Sequence, residues 1–149
     1  MTMSATDTVT SFFDAYRTQD VERMVDLCDL GADFSYVPFE VWGRQRVVRG
    51  DGKVCTIGKT FWTTLIDCFP DLTNEVTWTT EDDGGNVAVE VMISGTQAKD
   101  FGAIGNQGLH YDLPHVFLFH VNGDNQIDSI TAYWDGADWN RQLGRIEVD

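Results

Sequence analysis

Over the first seventy residues apolar positions recur at helical spacing, and beyond that point they recur at every second place. Val9, Phe12, Phe13 and Tyr16 follow i, i+3, i+4, i+7, which predicts an amphipathic helix with Ser4 or Thr6 as its cap. Asp20 starts a second helix whose stripe is Val21, Met24, Val25 and Cys28, with Gly31 as the stop. Phe34 to Val37 reads as a short strand halted by Pro38. Gly43 to Gly58 reads as loop with some short helix. Trp62, Leu65, Ile66 and Phe69 then mark a third helix, closed before Pro70.

From Leu72 the period is two. Leu72, Asn74, Val76 and Trp78 share one face of a strand that ends at Glu81, and Asp82-Asp83-Gly84-Gly85 is a hairpin turn. Strands follow over Asn86–Gln97 and Leu109–Val121, joined by a glycine-bearing connection from Phe101 to Gly108. Asn122 to Asn125 turns the chain into a last strand through Tyr133-Trp134-Asp135. A one-turn helix ending Gln142-Leu143-Gly144 closes the pattern. Helices first and a meander of long strands after them predict an α+β domain over residues 1–149, with a curved antiparallel sheet wrapped around the helices as a cone. Val116 and Leu118 put apolar side chains on the second face of the long strand as well. That face is expected to be covered by a second copy of the chain, as a homodimer.

Composition adds three constraints. The 9 Phe, 5 Trp and 4 Tyr suit a wide aromatic pocket as well as a core. With 24 acidic against 10 basic residues the net charge is −14, which disfavours nucleic acid and anionic membranes as partners. The cations Arg44, Arg46, Arg49, Lys53 and Lys59 crowd one segment, which reads as a solvated loop or as a rim that steers an anionic ligand. Cys28, Cys55 and Cys68 lack metal or redox spacing, which predicts a reduced, cytoplasmic protein. Met1 to Ser4 shows no basic stretch leading into an apolar run, so no secretory leader is expected, and no stretch is long and apolar enough to span a bilayer.

Several local motifs in this order resemble the SnoaL-like polyketide cyclases, within the superfamily that shares the cone of nuclear transport factor 2. They are Phe13-Asp14-Ala15-Tyr16, Asp20 at the second helix start, Phe69-Pro70-Asp71-Leu72, Ser94-Gly95-Thr96, Tyr133-Trp134-Asp135 and Arg141-Gln142-Leu143-Gly144. The resemblance implies a cofactor-free and metal-free intramolecular aldol closure, with a His on the penultimate strand and an Asp on the last strand facing into the cone. The His position falls at His115. The Asp position falls at Ala132, a departure at the residue that mechanism most needs. Related activities fit less well. A steroid-isomerase-like base belongs beside the proline after the first strand, where Val37 stands, with Glu40 close by. An epoxide-hydrolase-like site needs an inward Arg, and none occurs between Leu72 and Trp134.

Of the three histidines on the long strand, His110 and His120 have parity opposite to His115, which argues against a shared metal. His115 shares its face with Tyr111, Phe117 and Phe119. It is read either as a hydrogen-bonded pocket histidine or as a general base whose pKa desolvation would lower. Asp135 or Asp138 caps the terminal helix, or Asp135 stands in as a second proton-transfer group; Asp128, which shares parity with Ala132, is another candidate for the missing acid. Phe13, Tyr16, Tyr36, Trp62, Trp78, Tyr111, Phe117, Ala132 and Tyr133 are the expected substrate-contacting wall, with Phe39 beside Tyr36. The expected function is binding of an apolar, ring-bearing small molecule in a cavity of a few hundred Å³, with cofactor-free acid/base chemistry. The alternative is a binding or scaffolding module that has lost the acid.

Overall fold

A computed structural model describes residues 4–41, 45–47 and 50–145, with the backbone alone for 39–41 and 45–47. Helix α1 spans Ala5–Arg17. Ser4 caps it, with its hydroxyl accepting from Asp7 N while the Asp7 carboxylate accepts from Ser4 N. Helix α2 is shorter than its stripe predicts, Val21–Asp26, and Asp20 caps it. Cys28 already belongs to strand β1 (Cys28–Val41), because Leu27 O and the backbone of Cys28 are taken up by Ile127 of the last strand. Strand β1 also runs through Pro38 instead of stopping there. Its neighbour on one side passes from β3 (Gly50–Lys53), last paired at Tyr36, to β2 (Gln45–Val47), first paired at Phe39. Pro38 falls between the two, a place where a missing N–H is tolerated. A short π-helical turn, Val54–Gly58, leads into α3 (Lys59–Cys68), which buries Trp62, Leu65 and Cys68.

The remaining strands are β4 (Thr73–Glu81), β5 (Asn86–Thr96), β6 (His110–Val121) and β7 (Ile127–Trp134). They join one sheet in the order β2-β1-β7-β6-β5-β4, with β3 also on β1. The expectation of an antiparallel sheet holds for every pair except β1–β7, which is parallel. The inner face of β6 alternates cleanly: Tyr111, Leu113, His115, Phe117, Phe119 and Val121 are all buried. They pack on Phe12 and Phe13 of α1 and, through Phe12, on Trp62 of α3, with ring centroids 5.2–5.7 Å apart.

Helix α4 (Gly136–Gln142) sets Trp139 between the inner cavity and an outer basin. Asp135 caps it by accepting from Asp138 N at 3.1 Å. Gln142 reaches back to β6, its Oε1 accepting from Asp112 N and its Nε2 donating to Asp112 O, both at 2.9 Å. Leu143 is fully buried and Gly144 sits at φ +83°, the left-handed conformation that ends a helix cheaply only in glycine. The terminal Gln-Leu-Gly is therefore the clamp that holds Trp139 of α4 over the cavity.

Two irregularities redirect side chains. Between Val76 and Trp78 the register of β4 on β5 slips by one residue, so Trp78 pairs with Glu90 and points outward, 56% exposed. At the start of β7 the register slips between Ile127 and Ser129, which turns Asp128 to the outer face. There it accepts from His120 Nδ1 at 2.6 Å, while His120 Nε2 lies 3.0 Å from Gly84 O.

Candidate active site

The inner faces of the elements meet at a cavity under α4. Its wall is Tyr16 from α1, Phe34 from β1, Phe61, Trp62 and Leu65 from α3, and Ile93 from β5. Tyr111, Leu113, His115 and Phe117 from β6, Ala132 and Trp134 from β7, and Trp139 from α4 complete it. The cavity volume is about 20 Å³, enough for about one water and far below the few hundred Å³ expected. Aromatic side chains fill the difference. Outside it lies an open basin of about 330 Å³ lined by Tyr36, Pro38, Phe101 and Asn140. Phe61, Trp134 and Trp139 line both spaces, and only these three of the cavity wall are more than marginally exposed. Tyr36, Phe61 and Trp134 lie nearly parallel, at centroid distances of 5.3, 5.8 and 6.0 Å, and tile the partition.

His115 is the titratable centre of this wall. It is 8% exposed and lies between Trp134 and Phe117, at ring centroid distances of 5.4 and 6.1 Å. Its Nδ1 is 2.9 Å from Leu113 O. A carbonyl only accepts, so Nδ1 carries the proton and Nε2 keeps its lone pair. Burial among rings lowers the pKa from 6.5 to about 4, opposed only by that backbone bond. The imidazole is thus neutral at physiological pH, with its basic nitrogen free of protein partners among the described residues. Tyr16 and Tyr111 are 4% and 3% exposed, and desolvation holds both phenols well above their ordinary pKa. Neither hydroxyl has a hydrogen-bond partner among the described residues, and neither does the buried Nε1 of Trp139.

Of the residues expected to contact a ligand, Tyr16, Trp62, Tyr111, His115, Phe117 and Ala132 are brought together here. Phe13 is fully buried one layer deeper, edge-on to Phe117 and Phe119. Tyr36 belongs to the partition and the basin. Trp78 and Tyr133 are on the outer face: the slip in β4 turns the first, and simple alternation turns the second, since Ala132 and Trp134 face inward on either side of it. Asp135 is exposed and committed to its cap, outside the cavity wall. Asp128 is likewise outside, paired with His120. No acidic side chain among the described residues lines the cavity, so position 132 has no carboxylate substitute there. The side chains of Phe39, Glu40, Arg44, Arg46 and Arg49 lie outside the described residues, and Lys53 pairs with Asp33 at 2.6 Å. Sequence reasoning missed Phe34, Phe61, Leu65, Ile93, Leu113, Trp134 and Trp139 as wall residues. Trp134 was recoverable from its shared parity with Ala132, whereas Phe61 and Trp139 reach the site by how α3 and α4 are set on the sheet.

A family model for the SnoaL-like domain matches residues 9–130, and the chain belongs to that family. Solved structures agree on the fold. A protein assigned as a SnoaL-like polyketide cyclase from Jannaschia sp. CCS1 superposes with a TM-score of 0.73 at 21% identity, over 96% of this chain and 93% of the other. IdmH from Streptomyces antibioticus, assigned as a polyketide cyclase, gives 0.72 at 21%, over 95% and 99%. AclR from Streptomyces galilaeus, assigned as a hydroxylase, gives 0.75 at 12%, over 96% and 86%. No curated protein sequence matches the chain. Identities this low establish a shared cone and leave the reaction open. No helix among the described residues is long and apolar enough to cross a membrane.

Proposed function

We propose that the cone binds an apolar, ring-bearing small molecule and that His115 performs cofactor-free proton transfer on it, as in a cyclase or isomerase. The observation that carries this reading is the unpartnered Nε2 of a neutral histidine set in an aromatic cavity. In the forward step Nε2 takes a proton from a C–H next to a carbonyl, and the C–H electron pair moves into the carbonyl as an enolate. The imidazolium formed is a strong acid in this setting, so it returns the proton promptly. Return to a different carbon is isomerisation; return to the alkoxide formed when the enolate attacks a second carbonyl is aldol closure. A base of such low pKa works only on an acidified C–H, flanked by a ring and a carbonyl or by two carbonyls.

The test is deuterium exchange at C1 of 2-tetralone, whose C–H lies between a ring and a ketone, followed by NMR. Exchange above the buffer rate is expected. Binding without exchange would instead favour the second reading, a ligand-binding module of the same fold, which the lack of a carboxylate at Ala132 supports. The three free cysteines, two of them buried, fit a protein of the reducing cytoplasm.

The same reading includes a homodimer through the outer sheet face. Val116, Leu118 and Tyr133 are 41%, 43% and 39% exposed there, on neighbouring strands, with Val116 directly opposite Tyr133. Leu118→Glu would set a charge in such an interface. Sedimentation velocity should then show monomer where the parent chain sediments as dimer; a parent chain that sediments as monomer at micromolar concentration would remove the interface.

A further inference from the structure

We infer that Tyr16 and Tyr111 form a pair of hydroxyl donors that holds the carbonyl oxygen of a neutral, ring-sized ketone in the cavity. The inference rests on the proposed ligand-binding cone and deepens it. The two phenols enter one cavity from α1 and from β6, are nearly fully buried, and make no hydrogen bond to any described residue. The buried polar atom left wholly unpaired in this wall is Trp139 Nε1, whereas the two phenol oxygens, each without a protein partner, still reach the cavity space and can donate to an acceptor placed there. Burial holds both phenols well above their ordinary pKa. Both therefore stay protonated and act as donors.

The inventory of the wall sets the chemistry of that partner. Tyr16, Tyr111 and Trp139 supply three unpartnered donor groups, and His115 Nε2 supplies the acceptor. A carbonyl oxygen has two lone pairs and accepts two donors at once. No Lys, Arg or carboxylate among the described residues lines the cavity, so a charged ligand would lose its hydration without a counter-ion. Tyr111 and His115 stand four residues apart on one face of β6, about 13 Å of strand. A ring-bearing ketone anchored at the phenols outgrows the cavity of about 20 Å³, so its ring must displace Phe61, Trp134 or Trp139 toward the outer basin of about 330 Å³. Ala132 lies in the same wall, where a larger or acidic side chain would take up that room.

A matched pair of probes separates the oxygen from the rings: 2-acetonaphthone, and 2-ethylnaphthalene, which has the same shape and no carbonyl. Tryptophan fluorescence gives each affinity, and infrared difference spectra give the carbonyl stretch of bound ketone. In the parent chain the ketone should bind more tightly than the hydrocarbon, with its stretch moved to lower wavenumber. Tyr16→Phe and Tyr111→Phe should each weaken the ketone by about threefold to tenfold, the size of one neutral hydrogen bond. Hydrocarbon affinity should stay within about twofold, and the double variant should restore the stretch to its position in an apolar solvent. Neither variant should melt lower than the parent chain, since the hydroxyl it deletes bonds nothing in the fold. Equal binding of the two probes, a shift that survives in the double variant, or lower melting of both single variants would overturn the assignment and leave the ligand-binding cone standing. Failure of both probes to bind the parent chain would overturn the cone reading and this assignment together.

Discussion

His115→Ala and His115→Gln are each expected to cut the rate of proton exchange into 2-tetralone by about 10²–10⁴-fold, the usual contribution of a positioned base. Nε2 is the only unpartnered basic nitrogen in the cavity wall among the described residues, so nothing there can take over its lone pair. The glutamine variant matters because it keeps most of the volume and can still donate to Leu113 O. A loss shared by both variants is therefore a loss of basicity rather than of packing. The affinity of 2-ethylnaphthalene should change little in His115→Gln. The pH profile carries a second signature. An ordinary histidine would inflect between pH 5 and 8, whereas burial moves the inflection to about pH 4. Exchange should be flat above pH 5 and fall only as His115 protonates near pH 4. Full activity in His115→Gln would remove this residue from the mechanism.

The same burial makes a prediction about stability, of about 3 kcal/mol. His115 titrates at 6.5 when unfolded and at about 4 when folded, so the folded state disfavours the proton. Above pH 6.5 neither state binds it and the contribution is fully present. As pH falls from 6.5 to 4 the unfolded chain takes the proton and the folded chain does not, so stability drops. Below pH 4 both bind it and the loss is complete, at about 3 kcal/mol for that interval. His120 has the opposite sign. Its bond to Asp128 is the chief cause of a raised pKa, so its contribution is present in acid and fades as pH rises through that value. Urea denaturation of the parent chain and of His115→Gln at pH 7.5 and pH 4 isolates the first effect. The stability gap between the two should shift by about 3 kcal/mol in favour of the variant on acidification; a gap independent of pH would show that His115 is hydrated in the folded protein.

Much of the cavity wall was legible because β6 alternates without interruption. Tyr111, His115 and Phe117 needed only parity, and Tyr16 and Trp62 needed only the helical stripe. Trp78 and Asp128 were misplaced by the same rule, since a one-residue slip in β4 and another in β7 each reverse every face beyond them. Such slips depend on how two strands meet and leave no mark in the period of either one. Tyr133 was misplaced for a simpler reason: it cannot share a face with Ala132. The parallel pairing of β1 with β7 joins Cys28 to Ile127 and was beyond any local pattern. The length of β1 was hidden too, because a proline stops a strand only where the ladder needs an N–H at that position, and position 38 falls between the pairings with β3 and β2.

The sequence by itself determined the order of the helices and long strands, the inward parity of His115 and the absence of a carboxylate at Ala132. These are local facts, carried by periods of 3.6 and 2 and by the identity of single residues. Strands β2 and β3 were not among them, since they fall in the segment from Gly43 to Gly58 read as loop with some short helix. Only the tertiary structure decided that the cavity is nearly filled, that Phe61, Trp134 and Trp139 part it from an outer basin, and that Tyr16, Tyr111 and Trp139 hold donors with nothing to bond. Each of these depends on distances between elements far apart in the chain, as when Gln142 pins α4 to Asp112 and so sets Trp139 between the cavity and the outer basin.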